Sequence, residues 1–250
     1  KISHSKLIQN KLNEDMIKLL NPSNIFHFAG KILNFIKIFI MPIIIIGIIF
    51  SLFLSPKDYI QGDAARIMYV HVPSAWIALL SFATISFLCI LNFIFKIKSL
   101  SLIYKSIAPI GLTFNLIAIF TGAFWGKPTW GTWWVWDARL TSMLILMFFY
   151  VIFIFSYKFI KNTEKSSRIC TSISVLGLIN LIIIKYSVNW WSTLHQTSSV
   201  NLIGETTVHF SMLIPLGIMC IVFLLYSAMI FLMKYKIETI RVKKRSLKKL

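Results

Sequence analysis

Acidic residues and cysteines are scarce in this sequence. Only 8 of its 250 residues are Asp or Glu, and charged residues of both signs make up 14% of the chain. A soluble domain of this length needs a larger charged surface, so we expect the chain to lie in lipid. The cysteines are Cys89, Cys170 and Cys220, all in or beside apolar stretches and without a CxxC pair. This pattern argues against a disulfide framework or a thiolate metal site.

The chain contains long apolar stretches with few of the charged residues that a soluble protein carries. Hydrophobic residues make up 57% of the chain, and a membrane helix needs about 20 of them to cross roughly 30 Å of hydrocarbon. Six stretches qualify, at about 33–54, 72–95, 106–124, 140–160, 169–187 and 208–233. The sequence therefore predicts an all-α, six-helix membrane domain over 33–233, flanked by a basic N-terminal segment (1–32) and a basic tail (234–250).

The distribution of Lys and Arg predicts the orientation of these helices. All but five of the 26 basic residues fall on one side, the exceptions being Lys57, Arg66, Lys127, Arg139 and Lys185. Basic loops stay on the cytoplasmic side, so both termini are expected inside. Three longer loops, at about 56–71, 125–139 and 188–207, are expected on the outer, periplasmic face. The net charge of +18 then indicates the lipid bilayer, not nucleic acid, although the tail could also dock a soluble partner.

Tryptophan is confined to the predicted outer side. An aromatic belt would occupy both membrane interfaces, so a belt alone does not explain this placement. Five of the eight tryptophans occur between Trp125 and Trp136. Gly126, Pro128 and Gly131 are expected to prevent a continuous helix at the start of this stretch. We expect the residues after Gly131 to form a short interfacial helix whose indole faces suit a flat, apolar, aromatic ligand.

Three histidines also fall on the predicted outer side, at positions 71, 195 and 209. A neutral imidazole is a common axial ligand of haem iron, and two imidazoles can hold the iron from opposite faces. A single interfacial histidine, however, is more often a hydrogen-bonded structural residue. Spacing alone leaves both roles open for His71 and His195, and favours a helix-terminal hydrogen-bonding role for His209.

The outer charged residues also have two possible roles. Arg139 could pair with Asp137 and orient the tryptophan loop, or it could bind a ligand carboxylate. Arg66 could bind a carboxylate in bidentate fashion, or it could form a local ion pair with Asp63 or Asp58.

Three motifs resemble a known family. The run that ends in Trp136-Asp137 resembles the WWD domain of membrane haem-handling proteins. Together with His-Val-Pro at 71–73 and Trp-Trp-Ser-Thr-Leu-His-Gln at 190–196, it resembles the cytochrome c maturation protein C family, also called haem exporter protein C. The resemblance covers roughly residues 33–233, including six helices in matching order.

The resemblance implies transient, non-covalent binding of haem b at the outer face, with His71 and His195 as axial ligands of the iron. It implies haem or chaperone contacts by Asp58, Gln61, Arg66 and Arg139. The implied haem platform consists of Trp125, Trp130, Trp133, Trp134, Trp136 and Asp137. The implied partners are a haem chaperone (cytochrome c maturation protein E), an ABC transporter of proteins A and B, and the small protein D.

The function predicted from the sequence is haem presentation and delivery in c-type cytochrome biogenesis, without enzymatic turnover. Two alternatives belong to other classes. A membrane redox subunit of cytochrome b type would need histidines within the spans, and none lies mid-span. A solute transporter would need intramembrane charge or broken helices at the midplane, and Asn92, Asn115 and Asn180 are the only obvious polar candidates in the spans. The expected location is a bacterial inner membrane, or the mitochondrial inner membrane.

Overall fold

A computed structural model describes residues 21–191, 193–195 and 208–247 of the protein. Six long helices account for most of these residues, and no strand occurs within the described ranges. The helices are α1 (Pro22–Ile49), α2 (Met68–Phe95), α3 (Lys98–Trp130), α4 (Ala138–Phe159), α5 (Thr163–Trp190) and α6 (Phe210–Leu247). Each helix contains a window long and apolar enough to cross a membrane. The predicted all-α architecture with six transmembrane helices is therefore confirmed.

Several helices extend beyond the apolar stretches. α1 begins at Pro22, inside the predicted N-terminal segment, because the Asn21 side chain accepts a hydrogen bond from the Ser23 N–H and caps the helix. The first 20 residues of that segment lie outside the described residues. At the other end, α6 continues through the basic tail to Leu247. With 38 residues it is about 57 Å long, which exceeds the roughly 30 Å hydrocarbon layer.

The expected break at the start of the tryptophan-rich run was wrong. α3 passes through Gly126 and Pro128 and ends at Trp130, where Gly131 adopts a φ of 78° and its N–H donates to the Lys127 carbonyl. Only glycine adopts this left-handed conformation without strain. The interfacial helix expected after Gly131 was also wrong, since residues 131–137 are not helical. The loop predicted over 125–139 is therefore confined to 131–137.

Helices α2 to α5 form the rigid part of the bundle. α2 packs on α3 and α5, and α4 also packs on α3 and α5. At their centre the fully buried Phe82 and Tyr150 rings meet edge to face, with centroids 5.0 Å apart. The Tyr150 hydroxyl donates to the Ala78 carbonyl at 2.6 Å. Gly111 and Gly177 permit this packing, because a Cβ at these positions would overlap the Tyr150 hydroxyl and the Phe82 ring, respectively.

The two remaining helices lie outside this group of four. α6 packs on α2 and α3, and α1 packs on α6. The Lys236 Nζ atom lies 4.7 Å from the centroid of the Phe26 ring, so the start of α1 and the last turns of α6 are at the same end of the bundle. The opposite end carries the segments 55–67 and 131–137, together with residues 191 and 193–195. We call it the loop end.

Candidate functional site

A cavity of about 880 Å³ lies at the loop end. Its walls come from α2 to α6 and from all three connecting segments of the loop end. The volume falls within the roughly 300–1,000 Å³ that is usual for small-molecule sites. His71, His195 and His209, which are far apart in the sequence, all line this one cavity.

His71 lies in the first turn of α2 and contacts α3. Its Nδ1 atom is 3.1 Å from the Thr121 Oγ1 atom, while the Thr121 hydroxyl lies 2.6 Å from the Ile117 carbonyl oxygen. A hydroxyl has one proton to donate. Because that proton is directed to the backbone carbonyl, Thr121 accepts the Nδ1–H of His71, and the lone pair of the imidazole is on Nε2.

Two neighbours on α3 fix the position of the His71 ring. The Trp125 indole meets it edge to face, with centroids 5.7 Å apart. Gly122 permits the close approach of the two helices, because a Cβ there would be 3.0 Å from the His71 Cε1 atom. The imidazole is therefore held by helix packing on one side and by a hydrogen bond on the other.

His195 is held differently, because it lies in the irregular segment that follows α5. Its Nδ1 atom is 3.1 Å from Nη1 of Arg139, and its ring lies 6.0 Å from the Trp130 ring. A guanidinium can only donate hydrogen bonds. The Nδ1 atom of His195 is therefore the acceptor, and the neutral ring carries its proton on Nε2.

Asp137 is the N-cap of α4. Its Oδ1 atom accepts the Leu140 N–H at 2.7 Å, which is the usual role of an aspartate at this position. Its carboxylate also interacts electrostatically with Arg139. Of the roles expected for this pair, the structure shows Asp137 fixing the end of the tryptophan loop and Arg139 reaching into the cavity.

The tryptophans of the predicted platform fall into two groups. Trp125, Trp130 and Trp134 line the cavity. Trp133 and Trp136 are 52% and 76% exposed and do not line it. The Nε1 atom of Trp134 is buried and has no hydrogen-bond partner among the residues that the structure describes.

The first connecting segment is joined to this wall. Asp58 accepts the backbone N–H groups of Ile60 and Gln61, at 2.9 and 2.7 Å, and forms a tight turn closed by Gly62 at a φ of 57°. The Oε1 atom of Gln61 accepts the Trp125 Nε1–H at 2.8 Å. Asp58 and Gln61 both line the cavity.

Arg66 lies apart from the cavity. Its Nη1 atom is 3.2 Å from Asp63 Oδ1 and its Nη2 atom donates to the Ser55 carbonyl at 3.0 Å. Of the two roles that the sequence left open, the structure shows the local ion pair with Asp63.

Comparison with known proteins gives the same assignment across nearly the whole chain. The family model described as heme exporter protein C matches residues 15–250. The chain belongs to the heme exporter protein C family. This confirms the resemblance derived from the tryptophan and histidine motifs.

Individual members of this family are similar over most of their length. The "Heme exporter protein C" of Bradyrhizobium diazoefficiens is 36% identical over 232 residues, which cover 93% of this chain and 88% of the relative. The protein of the same name from Escherichia coli is 36% identical over 228 residues, covering 91% and 92% of the two chains. The "Putative cytochrome c biosynthesis ccmC-like mitochondrial protein" of Marchantia polymorpha is 44% identical over 186 residues, covering 74% and 76%. Six spans and these relatives make the chain a multi-pass inner-membrane protein.

Sequence reasoning missed several residues of the cavity. Ala118 and Gly122 line it from the turns of α3 that precede the predicted Trp125, and Thr121 bonds to His71 from the same side. Their spacing, i, i+4 and i+7, places them on one helix face, and this pattern upstream of Trp125 was the available signal. His209 also lines the cavity, with its Nδ1 atom 2.7 Å from the Ser211 hydroxyl, in the helix-terminal hydrogen bond expected for it.

Proposed function

We propose that this protein binds haem as cargo in the loop-end cavity and surrenders it to an acceptor protein during c-type cytochrome biogenesis. The relatives named above support a haem-related role in that process. The observation that carries the proposal is the meeting of His71 and His195, from separate elements, at one cavity with indole walls. In the proposed complex haem b is held non-covalently and transiently, with these two histidines as the axial ligands.

The residues of the cavity fit such a cargo. A porphyrin is flat and apolar, and its faces pack on indole rings such as Trp125, Trp130 and Trp134. Its propionates are carboxylates, which Arg139 binds through charge-assisted hydrogen bonds.

The proposed role is a loading platform and not a pore or an enzyme. The cavity lies at one end of the bundle, and below it the core is filled by fully buried side chains such as Phe82, Tyr150 and Phe153. The loop end faces the periplasm in this proposal, because 21 of the 26 basic residues belong to segments assigned to the opposite side. The acceptor is the haem chaperone, protein E, and an ABC transporter of proteins A and B with the small protein D completes the assembly.

The test is the absorption spectrum of detergent-purified protein reconstituted with haem. Wild type is compared with His71→Ala, His195→Ala and His27→Ala, the last being an exposed histidine of α1 at the other end of the bundle. We expect a six-coordinate, low-spin b-type spectrum from wild type and His27→Ala, and loss of that signature in both cavity variants. A wild type that takes up no haem, or spectra unchanged in both cavity variants, would contradict the proposal.

A further inference from the structure

The two cavity histidines are in opposite tautomers. His71 donates its Nδ1–H to Thr121, which leaves the Nε2 lone pair ready for iron. His195 accepts a guanidinium N–H of Arg139 at Nδ1, so its Nε2 atom carries the proton. A protonated ring nitrogen has no lone pair to offer a metal. One histidine is therefore ready for ligation and the other is not.

We propose that Arg139 is a latch that withholds His195 from iron until a carboxylate of the cargo takes the guanidinium. This inference rests on the proposed haem function. It makes Arg139 a positioning residue that acts through His195. It also means that both histidines ligate the iron only when the porphyrin carries a free carboxylate. Axial ligation alone does not require this.

The Arg139 guanidinium is expected to bind a carboxylate of the cargo in preference to the His195 ring. A charged carboxylate makes a stronger hydrogen bond to arginine than a neutral ring nitrogen does, and it accepts two parallel N–H groups. Arg139 lines the cavity beside the indole walls, so a propionate of cargo lying on those walls comes within its reach. Once the guanidinium turns to the propionate, Nδ1 of His195 is released.

The proton balance of the exchange is simple. After Arg139 leaves, Nδ1 of His195 takes up a proton from water and Nε2 gives one up to water, so the net charge of the ring is unchanged. The Nε2 lone pair then ligates the iron. If Arg139 stayed in place, ligation through Nε2 would require removal of the only N–H proton and would leave an anionic imidazolate. In reverse, an acceptor that withdraws the propionate returns Arg139 to Nδ1 and weakens the second axial bond.

The experiment compares iron(III) protoporphyrin IX with its dimethyl ester, in which both carboxylates are masked. Each is titrated into the cargo-free, detergent-purified full chain, and the spin state is read by absorption and electron paramagnetic resonance. Wild type is expected to give six-coordinate, low-spin iron with the free acid and five-coordinate, high-spin iron, ligated by His71, with the ester. Arg139→Met, which removes the latch, is expected to give low-spin iron with the ester.

Two further measurements separate the latch from simpler roles. If Arg139 only attracted propionates, Arg139→Met with the ester would stay high-spin like wild type, and that outcome overturns the inference. Lys185→Met removes another exposed cation near the outer end of α5 and is expected to leave the ester complex high-spin. Millimolar acetate, added to wild type with the ester, is expected to convert it towards low spin without any substitution.

The outcomes also separate this inference from the proposed function. Low-spin iron in wild type with the ester overturns the latch and leaves haem binding intact. Failure of wild type to take up either porphyrin overturns the proposed function itself.

Discussion

The two walls of the cavity are built in different ways. His71 belongs to a long helix, and its ring is fixed by α3 through Thr121 and Trp125. His195 lies in the non-helical residues 193–195, where it contacts the side chains of Arg139 and Trp130. Packed helices keep a ligand in one geometry, whereas a side-chain hydrogen bond can exchange partners. One fixed and one releasable histidine suit the proposed function, in which the protein holds a haem cargo and then gives it up.

The largest expected effect is a difference in haem affinity between the variants of the two histidines. We expect His71→Ala to lower haem affinity by about 100-fold or more, ~2.7 kcal/mol, because the remaining histidine binds iron only after a propionate has drawn Arg139 away from it. We expect His195→Ala to lower it by only about tenfold, ~1.4 kcal/mol, with five-coordinate haem retained on His71. Haem titration of the cargo-free protein, followed at the Soret band, measures both affinities.

The comparison between the two walls fails if His195→Ala lowers haem affinity as much as His71→Ala does, or more. Equal loss would mean that both histidines contribute alike from the start, and that the loop is as well ordered for ligation as the helix. Adding Arg139→Met to His71→Ala provides the matched control. With the dimethyl ester as cargo, which has no propionate for Arg139 to bind, it is expected to restore part of the affinity by freeing His195.

A smaller effect on haem affinity is expected from Thr121, whose hydroxyl is hydrogen-bonded to the His71 ring. Thr121→Val keeps the shape of the side chain but removes its hydroxyl acceptor, leaving the backbone of Ala118 as a hydrogen-bond partner of the His71 ring. Partners of this kind typically contribute 10–100-fold to metal affinity by fixing the ring and its tautomer. We therefore expect haem affinity to fall by about tenfold, at the lower end of that range, because helix packing still holds the ring.

Thr113→Val is the matched control for this change. Thr113 lies on the same helix, is exposed, and its hydroxyl donates to the Pro109 carbonyl at 2.9 Å. It makes the same backbone contact as Thr121 without a histidine beside it. If the two valine variants bind haem equally well, the Thr121 hydroxyl does not set the tautomer of His71.

The sequence predicted the parts of this molecule that depend on composition and periodicity. Apolar length gave six helices, and the chain forms six. Tryptophan and histidine counts drew attention to the three segments that meet at the cavity. These signals are local, so they can be read along the chain without knowing which helices are neighbours.

Pairings across the bundle could not be predicted in the same way. The bond from Arg139 to His195 joins residues 56 positions apart, and the bond from His71 to Thr121 joins residues 50 apart. Nothing in the spacing of those residues specifies their partners. The course of the tryptophan run was also misjudged, because Gly126 and Pro128 are tolerated in the last turns of α3 and only the positive φ of Gly131 ends the helix.

The smallest expected effect concerns the bond between the first connecting segment and the fixed wall. Gln61→Leu removes the acceptor of the Trp125 Nε1–H, and a partly buried donor left without a partner costs about 1 kcal/mol. Gln61→Glu keeps an acceptor oxygen at the same reach and is the matched control. We expect the leucine variant to lower the midpoint of thermal inactivation in detergent, with a loss of haem affinity smaller than that of Thr121→Val. Because Trp125 meets the His71 ring edge to face, the loss should persist in a His195→Ala background and vanish in a His71→Ala background. Persistence in both backgrounds would place the effect of Gln61 on the cargo itself and not on the wall that holds His71.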